Sequence, residues 1–208
     1  MNQRGKWQGM LSIARFNWPF YVGALAVLLL SIAGWFVLPS PLRWLCVLAL
    51  LGSLYFLIGS LGVSHLVYDR SDIYRFRWMD RALSGASKER IISCHSGFDE
   101  TSGLLHQHLP ETEWLTLDHF DAVRMTEASI HRARGMYPPV HGTLAAPFDQ
   151  WPVADKSADA ILGILAIHEF RSEAERAAWF GEAKRCLKPG GRIIIAEHVR
   201  DAGNFLAF

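Results

Sequence analysis

Two long apolar runs open the chain. Trp18–Leu38 and Trp44–Ser64 carry no charged side chain, and each supplies the ~20 residues a helix needs to cross a hydrocarbon core about 30 Å thick. Only Pro39-Ser40-Pro41-Leu42-Arg43 separates them, and proline breaks a helix where a turn is needed. The pattern predicts a transmembrane helical hairpin. A cleaved signal peptide fits less well, because its apolar region is usually about 7–15 residues and here a second run follows at once. A buried hairpin of a soluble protein is the other reading.

After Ser64 the pattern changes. Between His65 and Leu83 charges alternate with aromatics, as in Tyr68-Asp69-Arg70 and Phe76-Arg77-Trp78, without one clean face. This predicts a partly helical connection near a membrane surface, where arginine and aromatic side chains suit anionic headgroups. A linker helix packed on the following domain is the alternative. Ser84-Gly85-Ala86-Ser87-Lys88 reads as a boundary.

Beyond it short apolar runs alternate with helical periods. Strands are predicted over Glu89–Cys94, Glu113–Leu117, Val140–Leu144, Ala160–Ile167 and Arg192–Ala196. Helices are predicted from a Thr101 or Asp99 cap to about Leu109, over Arg124–Arg134 with Met125, Ala128 and Ala133 inward, and over Glu173–Leu187. In the last of these Ala177, Phe180, Ala183 and Leu187 share a face, and Lys188-Pro189-Gly190-Gly191 stops it. Strand, helix, strand with a tight stop is a parallel crossover unit, expected to be right-handed. The fold class is α/β, a parallel sheet with helices on both faces, preceded by the hairpin. The domain plan is 1–17 as an N-terminal segment, 18–64 as the hairpin, 65–88 as a linker and 89–208 as the α/β domain.

Charge and cysteine narrow the function. The 208 residues carry a net charge of +1, so nothing marks nucleic acid as a partner. The three cysteines, Cys46, Cys94 and Cys186, have no metal-type spacing and no even framework, so they read as reduced thiols. Lysine and arginine give the hairpin an orientation. Arg4, Lys6 and Arg15 precede it and Arg70, Arg75, Arg77 and Arg81 follow, against Arg43 alone in the turn. By the positive-inside rule both ends are expected in the cytoplasm, with a multi-pass anchor in the inner membrane of a cell. Small residues, Gly52 with Gly59 and Ser53 with Ser60, would let the second span pack closely on the first or on a second copy.

Leu187-Lys188-Pro189-Gly190-Gly191-Arg192-Ile193-Ile194-Ile195 followed by Glu197-His198 resembles the late motif of Rossmann-like S-adenosylmethionine (SAM) dependent methyltransferases of the type 11 kind. Pro147-Phe148, Ser157-Ala158-Asp159-Ala160 and Ala166-Ile167-His168 resemble the motifs before it. The likeness covers roughly residues 90–208. It implies SAM as cofactor, bound beyond the carboxyl ends of the strands. The positions it points to are Cys94, His95 and Gly97 after the first strand, Asp118 and His119 after the second, Leu144 after the third and Leu165 after the fourth. Asp118 would accept hydrogen bonds from the two ribose hydroxyls. Leu144 stands where the family often has an acid for the adenine amine, and it would pack on the purine. The glycine loop departs from the pattern. Ser93 replaces the acid that ends the first strand, His95 the first glycine and Asp99 the last, leaving Gly97.

His168 is the candidate general base. No metal site is expected, although His95, His119, His168 and His198 all lie at strand ends. The primary reading is a membrane-anchored methyltransferase acting on a small-molecule or lipid acceptor. The alternative is a catalytically inactive Rossmann-like scaffold. The family has two further strands after the one matching Arg192–Ala196, and Glu197–Phe208 is too short to supply them. Either the protein is longer, or a second copy, another chain or the membrane covers that sheet edge.

Overall fold

The computed structural model describes residues 4–197. It divides into two compact units, one running through Ser71 and one beginning at Asp72.

The first unit is helical. A short helix, α1 (Gln8–Phe16), is followed by α2 (Trp18–Val37) and α3 (Ser40–Ser64). Pro39 stands at the turn, with an extended backbone that ends one helix and enters the next. Both long helices have the length and composition to cross a membrane. Their burial is inverted. Ser31 is the buried residue of α2, and Ser53, Ser60 and Ser64 are those of α3. Phe36 is 78% exposed and Leu30 70%. Of the two small stripes it is the serines that face inward, where Tyr21 Oη and Ser60 Oγ lie 2.8 Å apart. Gly52 and Gly59 face open space.

The chain leaves α3 through a π-helical turn, His65–Arg70. Asp69 on this turn caps α1 across 60 residues of sequence, accepting Gly9 N–H at 2.7 Å and Met10 N–H at 3.1 Å. These are orphan donors that any helix start must satisfy. His65 Nδ1 lies 3.0 Å from the same carboxylate, and the Trp7 ring stacks on His65 at 4.0 Å. Only glycine fits at residue 9, since a Cβ there would lie 2.3 Å from Tyr68 Cβ.

The second unit contains a five-stranded parallel sheet. Its strands are β1 (Arg90–His95), β2 (Glu113–Asp118), β3 (Leu144–Ala145), β4 (Ala158–Ile164) and β5 (Leu187–Ala196), in the order β3-β2-β1-β4-β5. The helices are α4 (Arg77–Ala82), α5 (Ser102–His108), α6 (Ala128–Met136) and α7 (Glu173–Cys186). Alternate side chains feed two cores, as a pleated sheet requires. Ile92, Leu117 and Ile161 pack with Ile130 of α6 and Trp179 and Ala183 of α7. Ile91, Leu162 and Ile194 pack on the other face with Leu105 of α5 and Phe76, Met79 and Leu83. The sheet is thus covered on both sides, as expected.

Several boundaries differ from the sequence reading. The segment from Asp72 to Leu83 belongs to the α/β unit, because Phe76, Met79 and Leu83 are core residues. The third strand is Leu144–Ala145, not Val140–Leu144, because Gly142 turns with φ +87° just before it. The fourth ends at Ile164, where Leu165 takes a left-handed φ of +51° and breaks the extended run. The fifth begins at Leu187, and Lys188–Gly191 forms an irregularity within it rather than a turn before it. Ala158 pairs Leu187, and Ala160 next pairs Arg192. The α7 helix buries Trp179, Ala183 and Cys186, while Phe180 is exposed. The Trp179 indole has a buried acceptor that periodicity does not show. Among the described residues no strand pairs the outer side of β5. The argument about chain continuation rests on residues 198–208, which lie outside the described residues.

Candidate active site

The strand order reverses between β1 and β4, since β1 continues to β2 on one side and β4 to β5 on the other. Parallel sheets bind ligands beyond the carboxyl ends of their strands at such a switch point. The loop after β1, the end of β2 and the loop after β4 therefore define the candidate site.

Asp118 ends β2 with its side chain 4% exposed. Its Oδ1 accepts Gly97 N–H at 3.1 Å and Phe120 N–H at 3.0 Å. Its Oδ2 accepts Arg134 Nη1–H of α6 at 2.5 Å. Gly97 has φ +91°, a conformation that glycine adopts at little steric cost. That φ turns its N–H toward Asp118. Phe120 and Ile130 cover this glycine, and a Cβ there would lie 2.6 Å from Phe120 Cδ2. The Arg134 guanidinium lies 4.6 Å from the centre of the Phe120 ring.

His95 fills the space where a first glycine would leave room. It is 2% exposed, with Nδ1 3.4 Å from Asp118 and Nε2 3.8 Å from Asp99. Neither ring nitrogen has a hydrogen-bond partner, nor has Asp99 Oδ2. Burial pushes the His95 pKa down against the pull of Asp99 and Asp118. The other Asp99 oxygen accepts Ser102 N–H at 2.9 Å and starts α5.

The loop after β4 is clamped from β5. Leu165 N–H donates to Ala196 O at 2.8 Å. Glu197 Oε1 accepts Ala166 N–H at 2.7 Å and Ile167 N–H at 2.6 Å. Its Oε2 lies 2.8 Å from His168 Nδ1, and Glu169 lies 3.3 Å from His168 Nε2. Burial lowers the His168 pKa, but hydrogen bonds to Glu169 and Glu197 outweigh it and raise the value to about 9. The imidazole is therefore already protonated at neutral pH. This geometry does not give the general base expected at His168, since a ring that holds both protons has none of its acceptor capacity left.

The structure brings His95, Gly97 and Asp118 together as expected and places Leu165 at the strand end. Cys94 and His119 go elsewhere. Cys94 points into the core with Trp179 and Ile161, and burial raises its thiol pKa well above the usual value. His119 is held between Ala146 O, 2.9 Å from Nδ1, and the Trp179 indole N–H, 3.2 Å from Nε2. Burial lowers its pKa to about 4, so it is a neutral core residue with both nitrogens satisfied. Leu144 is 40% exposed on the short edge strand. Sequence reasoning missed Arg134 and the clamp made by Glu197. Nothing in spacing ties Arg134 to a carboxylate 16 residues earlier, whereas Glu197 directly follows an apolar strand and could have been found by that position. A separate groove of about 500 Å³, lined by Lys156, Phe180, Lys184 and Leu187 among others, lies by the beginning of β5.

The residues fit a nucleoside cofactor in type. Asp118 stands where a ribose acceptor belongs, Gly97 lets backbone approach closely, and His95 and Asp99 hold buried polar atoms without partners.

Residues 102–195 match the family described as Methyltransferase domain. No curated protein matches the chain. Among solved structures it is similar to a protein of Pyrococcus horikoshii, at 20% identity over 58% of this chain and 55% of that one, with a TM-score of 0.41. An S-adenosylmethionine dependent methyltransferase from Mesorhizobium loti matches at 22% identity over 60% and 54%, with a TM-score of 0.39. The chain spans about half the length of these structures. The family match falls within the α/β unit, whose parallel sheet with helices on both faces is Rossmann-like.

Proposed function

We propose that the chain is a SAM-dependent methyltransferase anchored in a membrane by α2 and α3, with its α/β unit in the cytoplasm and a membrane-associated acceptor. The observation that carries the cofactor assignment is Asp118. Its carboxylate ends β2 beside the switch point and receives the Gly97 amide of the loop after β1. When bound, SAM supplies a methyl group already activated by the sulfonium. The chain has then to position the partners and exclude water. Asp118 would orient the ribose. The Glu197 clamp fixes the backbone of Ala166 and Ile167 at the strand end and presents His168 as an imidazolium. That imidazolium commits both ring N–H groups to Glu197 and Glu169, so it braces the strand end rather than accepting a proton.

Anchoring is supported by the exposed apolar faces of α2 and α3, which a soluble core hairpin would bury. Orientation is supported by arginine and lysine at both ends of the hairpin. The acceptor class follows from location alone. The inactive-scaffold reading draws on the replacement of two loop glycines by His95 and Asp99.

Isothermal titration of the full chain in nanodiscs with SAM tests the cofactor assignment. Asp118→Asn keeps the shape and removes a charge-assisted bond worth roughly 1.5–3 kcal/mol, so affinity should fall about tenfold or more. An unchanged dissociation constant would show that Asp118 does not hold the ribose. Orientation is tested by labelling single cysteines with an impermeant thiol reagent on intact cells. A cysteine at Ser40 should react from outside and one at Lys88 should not; the reverse pattern sinks the assignment.

A further inference from the structure

Asp118 has a tenant. Arg134 donates to Oδ2 at 2.5 Å, while Oδ1 is taken by two backbone N–H groups. The carboxylate thus has little capacity left for a diol. Three other contacts bring residues 120–137 over the same loop. Phe120 and Ile130 pack against Gly97, the Phe120 ring supports the guanidinium, and Tyr137 meets Phe98 edge-on at 5.4 Å between ring centres. Beside them His95 is enclosed, with neither ring nitrogen hydrogen-bonded.

We propose that Arg134 is a built-in competitor for the ribose subsite, so that cofactor enters only when its guanidinium leaves Asp118. The geometry allows that exit. The Arg134 side chain is 32% exposed whereas Asp118 is almost fully enclosed, so the arginine can swing to water while the acid stays. Arg134 reaches Oδ2 through Nη1–H, and Oδ2 is the carboxylate oxygen that no backbone amide holds, so it is the one a ribose hydroxyl would have to bond. Competition of this kind lowers apparent affinity by the fraction of molecules in which the site is open. The site is thereby set to respond to anything that draws Arg134 or α6 away.

This inference rests on the cofactor reading above, and one experiment separates the two. SAM is titrated into the full chain in nanodiscs for the parent, Arg134→Ala and Arg134→Gln. Gln retains part of the aliphatic stem over Phe120 and removes the charged fork. A partly exposed ion pair is a modest competitor, so both variants should bind SAM about three- to tenfold more tightly than the parent. Circular dichroism melts confirm that each variant is folded; if Ala does not fold, Gln alone decides. Binding by the parent that both folded variants leave unchanged or weaken overturns the competitor and leaves the cofactor reading standing. No binding by any folded protein at millimolar SAM overturns the cofactor reading, and the competitor with it.

Discussion

The two units solve opposite packing problems with the same twenty side-chain types. In the hairpin the buried positions are Ser31, Ser53, Ser60 and Ser64 and the outward ones are Leu, Phe and Val. In the α/β unit Ile91, Ile92, Ile161, Leu162 and Trp179 are inside. The difference teaches what drives each. A sheet in water gains about 25 cal/mol per Å² by hiding apolar surface. Two helices in lipid, as proposed for α2 and α3, would gain nothing that way, and close approach of small residues and hydrogen bonds between helices would hold them.

The largest break in that comparison is a pair of truncations. Trp179→Ala removes a fully buried ring and the indole donor to His119, and should cost about 3–5 kcal/mol of stability for the α/β unit. Leu30→Ala, on the outward face, should change helix association in the hairpin by less than about 0.5 kcal/mol. Urea unfolding measures the first, and tryptophan-independent helix association in detergent the second. Comparable losses would show that the hairpin is packed like a soluble core. A smaller effect sharpens the inside of the hairpin. Tyr21→Phe deletes the hydroxyl that faces Ser60 and should cost about 0.6 kcal/mol, the usual worth of such a bond in a membrane. Steric trapping of the hairpin in bicelles would register it, and a stabilisation would contradict the assigned contact.

The smallest expected effect lies at the rim of the α/β unit. His168 has a pKa raised from 6.5 to about 9, so its contribution to stability is full below pH 6.5 and is lost as pH rises toward 9. Glu197 has a lowered pKa, chiefly against burial, through its bonds with His168 and the Ala166 and Ile167 amides. Its contribution is present above the ordinary value of 4.5 and is lost as pH falls through its folded value. The cluster therefore acts most between about pH 5 and 7. NMR titration of the His168 ring should give a midpoint near 9 and, in Glu197→Gln, one well below it. A wild-type midpoint near 6.5 would remove the cluster from the account.

How much of this was legible depended on whether a signal was local. The apolar runs of α2 and α3 and the first, second, fourth and fifth strands announce themselves within a few residues, whereas Lys188-Pro189-Gly190-Gly191, which reads as a helix stop, lies inside β5. Asp118 is legible as the carboxylate that ends an apolar strand, and it ends β2 in the structure. The surroundings of His119, one residue later, are not legible, because alternation cannot say whether a polar ring meets a ligand or a buried indole. The inward face of α7 is hidden for the same reason, since Trp179 and Phe180 are equally apolar and only the acceptor at His119 selects one. Arg134 was invisible. Its partner is distant in sequence, and an arginine near a helix end reads first as a solvated charge.

The bond from Asp69 to the start of α1 has a consequence for biogenesis. The Gly9 and Met10 amides leave the ribosome about 60 residues before their acceptor does, a delay of roughly 3–12 s at 5–20 residues per second. During that interval α1 is a short segment with open donors, too brief to persist alone in water. Within the helical unit α1 is therefore made before α2 and α3 but fixed only after both, and its docking reports that the two long helices are complete.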